Sequence, residues 1–419
     1  MRQAGIYRTI VQAAIFFLLN NLCQAEYDVY CLGASYTVDS GYIQSFADSA
    51  GIKLRAGSSL KGNMRTQSQS DRLEAPLSEL STGTTGALIM TAQRPFKFTE
   101  AESQACIKLS GLLLEKNPDA KIFIHDYWTV VQPYWSLYSQ EHSWDNVRAL
   151  HLGGIKTISL MAHRLEHKVY DVPVGEAIQL LREKIEKGEL EEYKNTDELM
   201  SDSIHLSEVG RYVQACMSFC CAYKYDVRKL SGEAVSSRGH KIKFTKNDAE
   251  IIHGIIYETV RNTPYSGWYE NEPESTEDYL KHLEDGLKNW ESFDKLYPAS
   301  GTGTFTGDND IRWNYTNIRS AKDGEILTDA YVIMNRDSSL SAAIPGGLSD
   351  LHFALYNGAE IEILINGKSK GIFKAASQGR WADCYFNIQN VNESGDVKVS
   401  FISKNNDSRI DNIFWTAPE

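Results

Sequence analysis

Asp202 and His205 stand three residues apart in "SDSIHLSEVGRY", just before a segment with the spacing of an amphipathic helix. A carboxylate beside an imidazole fixes the ring's tautomer and stabilises its cation, which makes the histidine a usable base. What the pair lacks is a group to deprotonate. A serine hydroxyl is a poor nucleophile until a base takes its proton. "CLGASYT" offers Ser35 directly after an apolar, β-rich run, on a strand-to-helix turn that would expose a hydroxyl. Attack on a carbonyl also needs preset donors for the negative oxygen that develops. The backbone N–H groups of Ser35 and of Gly57 in "RAGSS", with the side-chain amide of Gln93 in "TAQRP", would supply three. The assembled expectation is Ser35 as nucleophile, His205 as base, Asp202 as orienter, and Ser35, Gly57 and Gln93 as oxyanion hole. Each residue also has a plainer reading: a turn serine, a helix-capping acid, a glycine in a left-handed turn, an amide bonded to backbone.

These residues meet only if the strands before them end on one edge. From Tyr27 to about Tyr170, β-rich runs ("YDVYCLGAS", "IKLRAG", "GALIMTA", "AKIFIHDYW") alternate with amphipathic segments. "TEAESQACIKLSGLLLEKNPDA" reads as a helix capped at Thr99 and stopped at Asn117-Pro118. Such alternation implies a parallel sheet with helices on both faces, whose sites lie at the carboxyl ends of the strands. His125, Tyr127 and Trp128 close the fourth run on that edge and are candidate substrate-binding residues, an aromatic ring there being able to stack on a sugar; core aromatics at a strand end are the competing reading. Pro133-Tyr134-Trp135 would extend the same wall. Helices follow in "SEVGRYVQACMSFCCAYKY" and in "TKNDAEIIHGIIYETVRN", the second capped by Thr245. The polar stretch to about Tyr297 reads as a solvated connecting helix.

With these blocks in place, the chain resembles the SGNH (GDSL-type) hydrolase superfamily, which pairs an early serine, a glycine, an amide residue and a late Asp-x-x-His block. The resemblance covers roughly Tyr27 to Arg261, and "VPVGEAI" with "DSIHLSEVGRY" fits an exported bacterial branch. It implies a flavodoxin-like three-layer α/β/α fold, no metal and no cofactor, and hydrolysis of acyl esters, often acetyl groups on carbohydrate. Two positions depart from the pattern. Ala34 stands where the family has Asp or Asn, and Gln93 where it has asparagine. Alanine leaves the nucleophile in place, and glutamine keeps an amide on a longer stem. The competing reading is a glycan-binding protein on an inactive scaffold.

The length of 419 residues favours two domains, and beyond Gly301 the texture changes to short alternating runs broken by Asn-Gly and Gly-Gly turns. That is an antiparallel, jelly-roll-like β-sandwich and a candidate polysaccharide-binding module. Trp313, Tyr315, Trp381 and Trp415 are its candidate sugar-stacking residues, with burial as core the commoner fate of such rings. Asp308 and Asp310 could hold a structural calcium or simply sit in a turn. The expected division is a signal peptide at 1–25, a hydrolase domain at 26–265, a helical connector at 266–298 and the sandwich at 299–419.

The N-terminus has Arg2 and Arg8, then "IVQAAIFFLL", then a small-residue end at Ala25, the layout of a secretory signal and too short for a membrane span. Secretion or a periplasmic location follows, and Leu22 before Cys23 argues against a lipid anchor. The net charge of −12 argues against nucleic acid as a partner. Six cysteines follow the signal without zinc-site spacing, and those in "ACMSFCCAY" read as buried thiols. "HRLEH" at His163 to His167 matches an inverted zinc-protease motif, with no third-ligand motif after it.

Overall fold

The protein is described by a computed structural model over residues 27–33, 38–54, 80, 83–91, 100–126, 128, 144–202, 205–287, 289–291, 293–307, 309–322, 330–356, 358–375 and 383–418. Its first part is a parallel sheet of four strands, β1 (Asp28–Leu32), β2 (Thr85–Met90), β3 (Lys121–His125) and β4 (Val169–Val172), paired in that order. These strands are almost wholly buried, as strands covered on both faces must be. Alternation sends successive side chains into different cores. Val29, Cys31, Ala87, Ile89, Phe123 and Val172 enter one, while Tyr30, Leu32, Leu88, Met90, Ile122 and Ile124 enter the other.

The first core is closed by α1 (Ser40–Ala50), α4 (Val174–Glu186), α5 (Glu208–Tyr223) and α6 (Lys246–Asn262). The second is closed by α2 (Glu100–Lys116), α3 (Trp144–Leu165) and α7 (Thr276–Leu287). The chain therefore places helices on both faces of a parallel sheet, as the alternating pattern predicts. The Thr245 cap is as expected, its hydroxyl accepting from the Asp248 N–H at 3.1 Å.

Three local expectations are corrected. The run read as a second strand from Ile52 is not strand over residues 52–54, because the Ile52 N–H bonds the Ala47 carbonyl and closes α1. The rest of that run lies outside the described residues. β4 was not expected: four residues between a charged end and Pro173 carry too little pattern. The third is α7, which is not solvated all round. Tyr279 and Leu283 are fully buried among the second core, and the Tyr265 hydroxyl bonds the His282 carbonyl at 2.9 Å.

The second part is an antiparallel β domain of the sandwich kind built on ten strands. They are β7 (Trp290–Glu291), β8 (Ser300–Thr306), β9 (Arg312–Lys322), β10 (Ala330–Ile344), β11 (Asp350–Tyr356), β12 (Glu360–Ile365), β13 (Lys368–Lys374), β14 (Asp383–Ile388), β15 (Val397–Ser403) and β16 (Ser408–Thr416). β10 joins its halves. Residues 332–334 pair with β16 and residues 339–344 with β15, across a register shift near Asp337, whose φ is 64°. One long strand that changes partners at an irregularity lets the network fold over its own core. Trp290 and Glu291, expected in the connector, pair with Phe414 and Ile413 and belong to this sheet. Among the described residues no helix is long and apolar enough to cross a membrane. The signal segment, residues 1–25, lies outside them.

Candidate functional site

The direction of α5 decides where His205 stands. In its middle, Gln214 and Ser218 hydrogen-bond the ring of His125, the last residue of β3. Near its end, the Ala222 carbonyl accepts from Lys121 Nζ at 3.0 Å, and Lys121 is the first residue of β3. The helix thus runs antiparallel to the strand, with its N-terminus at the carboxyl edge of the sheet. Ser207 caps it, its hydroxyl accepting from the Gly210 N–H at 3.4 Å. His205, two residues earlier, lies at that same edge.

The loop before the cap is tightly closed. The Ser207 N–H bonds the Leu199 carbonyl at 3.0 Å, and the Ser201 N–H bonds the His205 carbonyl at 2.8 Å. Inside it Asp202 engages His205 twice. Its Oδ1 accepts from the His205 backbone N–H at 2.8 Å and its Oδ2 lies 2.7 Å from His205 Nδ1. A carboxylate can only accept, so Nδ1 carries a proton and Nε2 holds the basic lone pair. The side chains are 24% and 53% exposed for His205 and Asp202, so the contribution of the pair is orientation more than stability.

A second helix N-terminus meets this one. β1 delivers the chain to the carboxyl edge at Gly33, and α1 starts at Ser40 under an Asp39 cap. The Tyr42 hydroxyl of α1 donates to Glu208 of α5 at 2.8 Å, and the Tyr42 and Tyr212 rings meet edge-on at 5.8 Å. Ser35 falls between Gly33 and Asp39 in sequence. Ser35 itself, like Gly57, Gln93 and Tyr127, lies outside the described residues. A hairpin of β5 (Glu233–Val235) and β6 (Lys241–Lys243) closes over these starts. Its tip gives the Ser237 N–H and hydroxyl to Asp39 at 2.7 and 3.0 Å, and His240 to Glu208 at 3.1 Å. Gly41 permits this, since a Cβ there would stand 2.1 Å from the Ser237 nitrogen. The hairpin's three-residue strands carry too little pattern to announce it, and its contacts to Asp39 join segments 198 positions apart.

The remaining candidates are placed as follows. His125 is 3% exposed and Trp128 1%, and both are packed inside the protein and not on an open wall. Burial pushes the His125 imidazole down to about 3, so it is neutral. Pro133, Tyr134 and Trp135 lie outside the described residues. His163 pairs with Glu284 at 3.3 Å and His167 bonds the Ala120 carbonyl at 3.0 Å. α3 stops at Leu165 and Glu166 takes a left-handed φ of 49°, so the two histidines do not share a helical face. Among the described residues no group of three or more His, Cys, Asp or Glu is placed to hold a metal. Cys31, Cys106, Cys216, Cys220 and Cys221 are buried thiols. In the β domain Trp313 is fully buried with its indole N–H donated to Glu291 at 3.1 Å, and Trp415 is 4% exposed, so both rings are core. Tyr315 is half-buried; Trp381 and Asp308 lie outside the described residues, and Asp310 sits in a turn at φ 59°.

No protein-family model matches the chain, and no curated protein matches it. Among solved structures, the chain is similar to a glycoside hydrolase family 43 arabinoxylan arabinofuranohydrolase from Bacillus subtilis, at 15% identity and a TM-score of 0.22. That likeness covers 28% of this chain and 27% of the hydrolase. A family 6 carbohydrate-binding module is similar at 11% identity over 31% of this chain and 93% of the module, with a TM-score of 0.23. A family 35 carbohydrate-binding module from Clostridium thermocellum is similar at 12% identity over 28% of this chain and all of the module, at 100%, with a TM-score of 0.22. Each likeness spans a third of this chain or less.

Proposed function

We propose that the chain is an exported serine esterase of the SGNH type, with a flavodoxin-like three-layer first domain, acting on acyl esters and on acetylated carbohydrate in particular. One observation carries this reading: Asp202 fixes His205 with Nε2 as the basic nitrogen, at the carboxyl edge to which β1 leads the chain just before Ser35. The two cores, one on each face of the sheet, support the layered fold.

In this account Ser35 Oγ attacks the acyl carbonyl while His205 Nε2 takes its proton. The carbonyl oxygen becomes an oxyanion and receives hydrogen bonds from the Ser35 and Gly57 N–H groups and the Gln93 amide. Collapse breaks the bond to the alcohol, which leaves with the proton from His205. A water molecule then gives a proton to His205 and attacks the acyl-serine, and the proton returns to Ser35 as the acid departs. Asp202 keeps its contact with the ring throughout. A polysaccharide-binding role for residues 299–419 belongs to the same proposal, but Trp313 and Trp415 are not its contacts, because both are core.

The test is hydrolysis of a small aryl acetate by the wild type, Ser35→Ala and His205→Ala. Turnover in the wild type that both substitutions abolish, with folding unchanged, supports the esterase. Wild-type turnover in the Ser35 variant contradicts it, and absent turnover in the wild type favours the glycan-binding scaffold instead.

A further inference from the structure

His125 stands at the meeting point of three segments that are remote in sequence. Thr91, just after β2, places its hydroxyl 3.1 Å from Nδ1, and Gln214 of α5 places Nε2 3.2 Å from the same nitrogen. On the far side of the ring, Nε2 lies 2.8 Å from the Ser218 hydroxyl. The proton order follows from the partners. An amide N–H can only donate, so Nδ1 accepts and Nε2 carries the proton. Nε2–H donates to Ser218 Oγ, whose own O–H donates to the Gln214 carbonyl at 2.9 Å. Gln214 and Ser218 are 1% and 0% exposed and sit four apart on a helix otherwise packed through Cys216, Met217, Phe219 and Cys220.

We infer that His125 is a positioning residue for the proposed reaction, its ring fixing α5, and with it His205, against the ends of β2 and β3. The inference rests on the esterase reading. Apolar contact is non-directional and lets a helix rotate or slide against a sheet. Hydrogen bonds at both ring nitrogens have fixed directions and remove that freedom. The cap at Ser207 precedes Gln214 by seven residues, about 10 Å of helix at 1.5 Å per residue, so a small rotation at the ring becomes a larger displacement at His205. The same ring meets Thr91, just after β2. One buried side chain thus ties the ends of β2 and β3 to the helix that follows His205, without touching substrate.

The experiment measures the rate of fluorophosphonate labelling, with kcat and KM on an aryl acetate, for the full chain as wild type, His125→Phe, His125→Gln and Ser218→Ala. His125→Phe keeps the volume and loses every bond, and misplacement of about 1 Å lowers labelling rate and kcat by roughly 10- to 100-fold. KM stays within about twofold, since no substrate contact is lost. His125→Gln, whose amide N–H can still reach Ser218, recovers part of the loss, which a purely volume-filling role does not predict. A folded His125→Phe protein that labels at the wild-type rate overturns the inference while leaving the esterase intact. A wild type that neither labels nor turns over removes the esterase reading, and the inference falls with it. Should His125→Phe not fold, Ser218→Ala decides: a several-fold loss in kcat at unchanged KM supports the lock, and an unchanged kcat refutes it.

Discussion

Asp202 holds its neighbour His205 by two bonds at once, one to the backbone N–H at 2.8 Å and one to ring Nδ1 at 2.7 Å. The backbone bond fixes where the ring starts, and the ring bond fixes how it is turned. Asp202→Asn keeps the shape but can present an N–H to Nδ1, favouring the wrong tautomer. The expected outcome is a fall in kcat on an aryl acetate of about 10³- to 10⁴-fold with folding intact, as loss of the orienting carboxylate produces in triads. Wild-type kcat in Asp202→Asn, measured in a steady-state assay, contradicts the assigned role.

The burial of α7 gives a stability prediction. Leu283 is fully buried in the core formed with α2 and α3, so Leu283→Ala costs about 2–5 kcal/mol by the usual scale for buried leucines. Denaturant unfolding of the full chain measures it. A chain ended at residue 265 loses the Tyr279 and Leu283 contacts altogether and is expected to aggregate. A solvated connector predicts no change for Leu283→Ala.

Glu208 ties both helix starts to the hairpin and should respond to acid. Burial acts to raise its carboxyl, but the hydrogen bonds from Tyr42 and His240, with the Arg211 charge, outweigh that and hold it below the usual glutamate range. A carboxyl depressed in the folded state stabilises above its unfolded pKa and loses that contribution as pH falls through the folded one. Thermal midpoints of the wild type should therefore decline below the ordinary glutamate range, and Glu208→Gln should decline less steeply. Parallel curves for the two proteins contradict the assignment.

What the sequence discloses and what it hides follow the range of the interactions. The Asp202–His205 pair and the Thr245 cap lie within one turn of chain, so residue type and spacing suffice to find them. Most of the parallel sheet is legible because β1, β2 and β3 are near-continuous apolar runs, whereas β4, four residues with an aspartate, is not. α7 misleads because its fully buried face is narrow, Tyr279 and Leu283, with Leu280 and Leu287 only partly covered among charged residues. The fate of Trp313 depends on Glu291, contributed by a two-residue strand that no periodicity can announce. His125 reads as an edge residue because it ends a strand. Only Gln214 and Ser218, four apart on an apolar helix, hint that a polar partner waits across the core. Contacts between segments 90 to 200 residues apart leave no such local trace.

The central claim is that Ser35 and His205 act as one unit, and active-site labelling tests it most directly. The protein is treated with a fluorophosphonate, digested, and the modified peptide identified by mass spectrometry. The account predicts an adduct on Ser35 that forms in the wild type and is lost in His205→Ala. No adduct, an adduct on another serine, or labelling of Ser35 that is indifferent to His205 would contradict it.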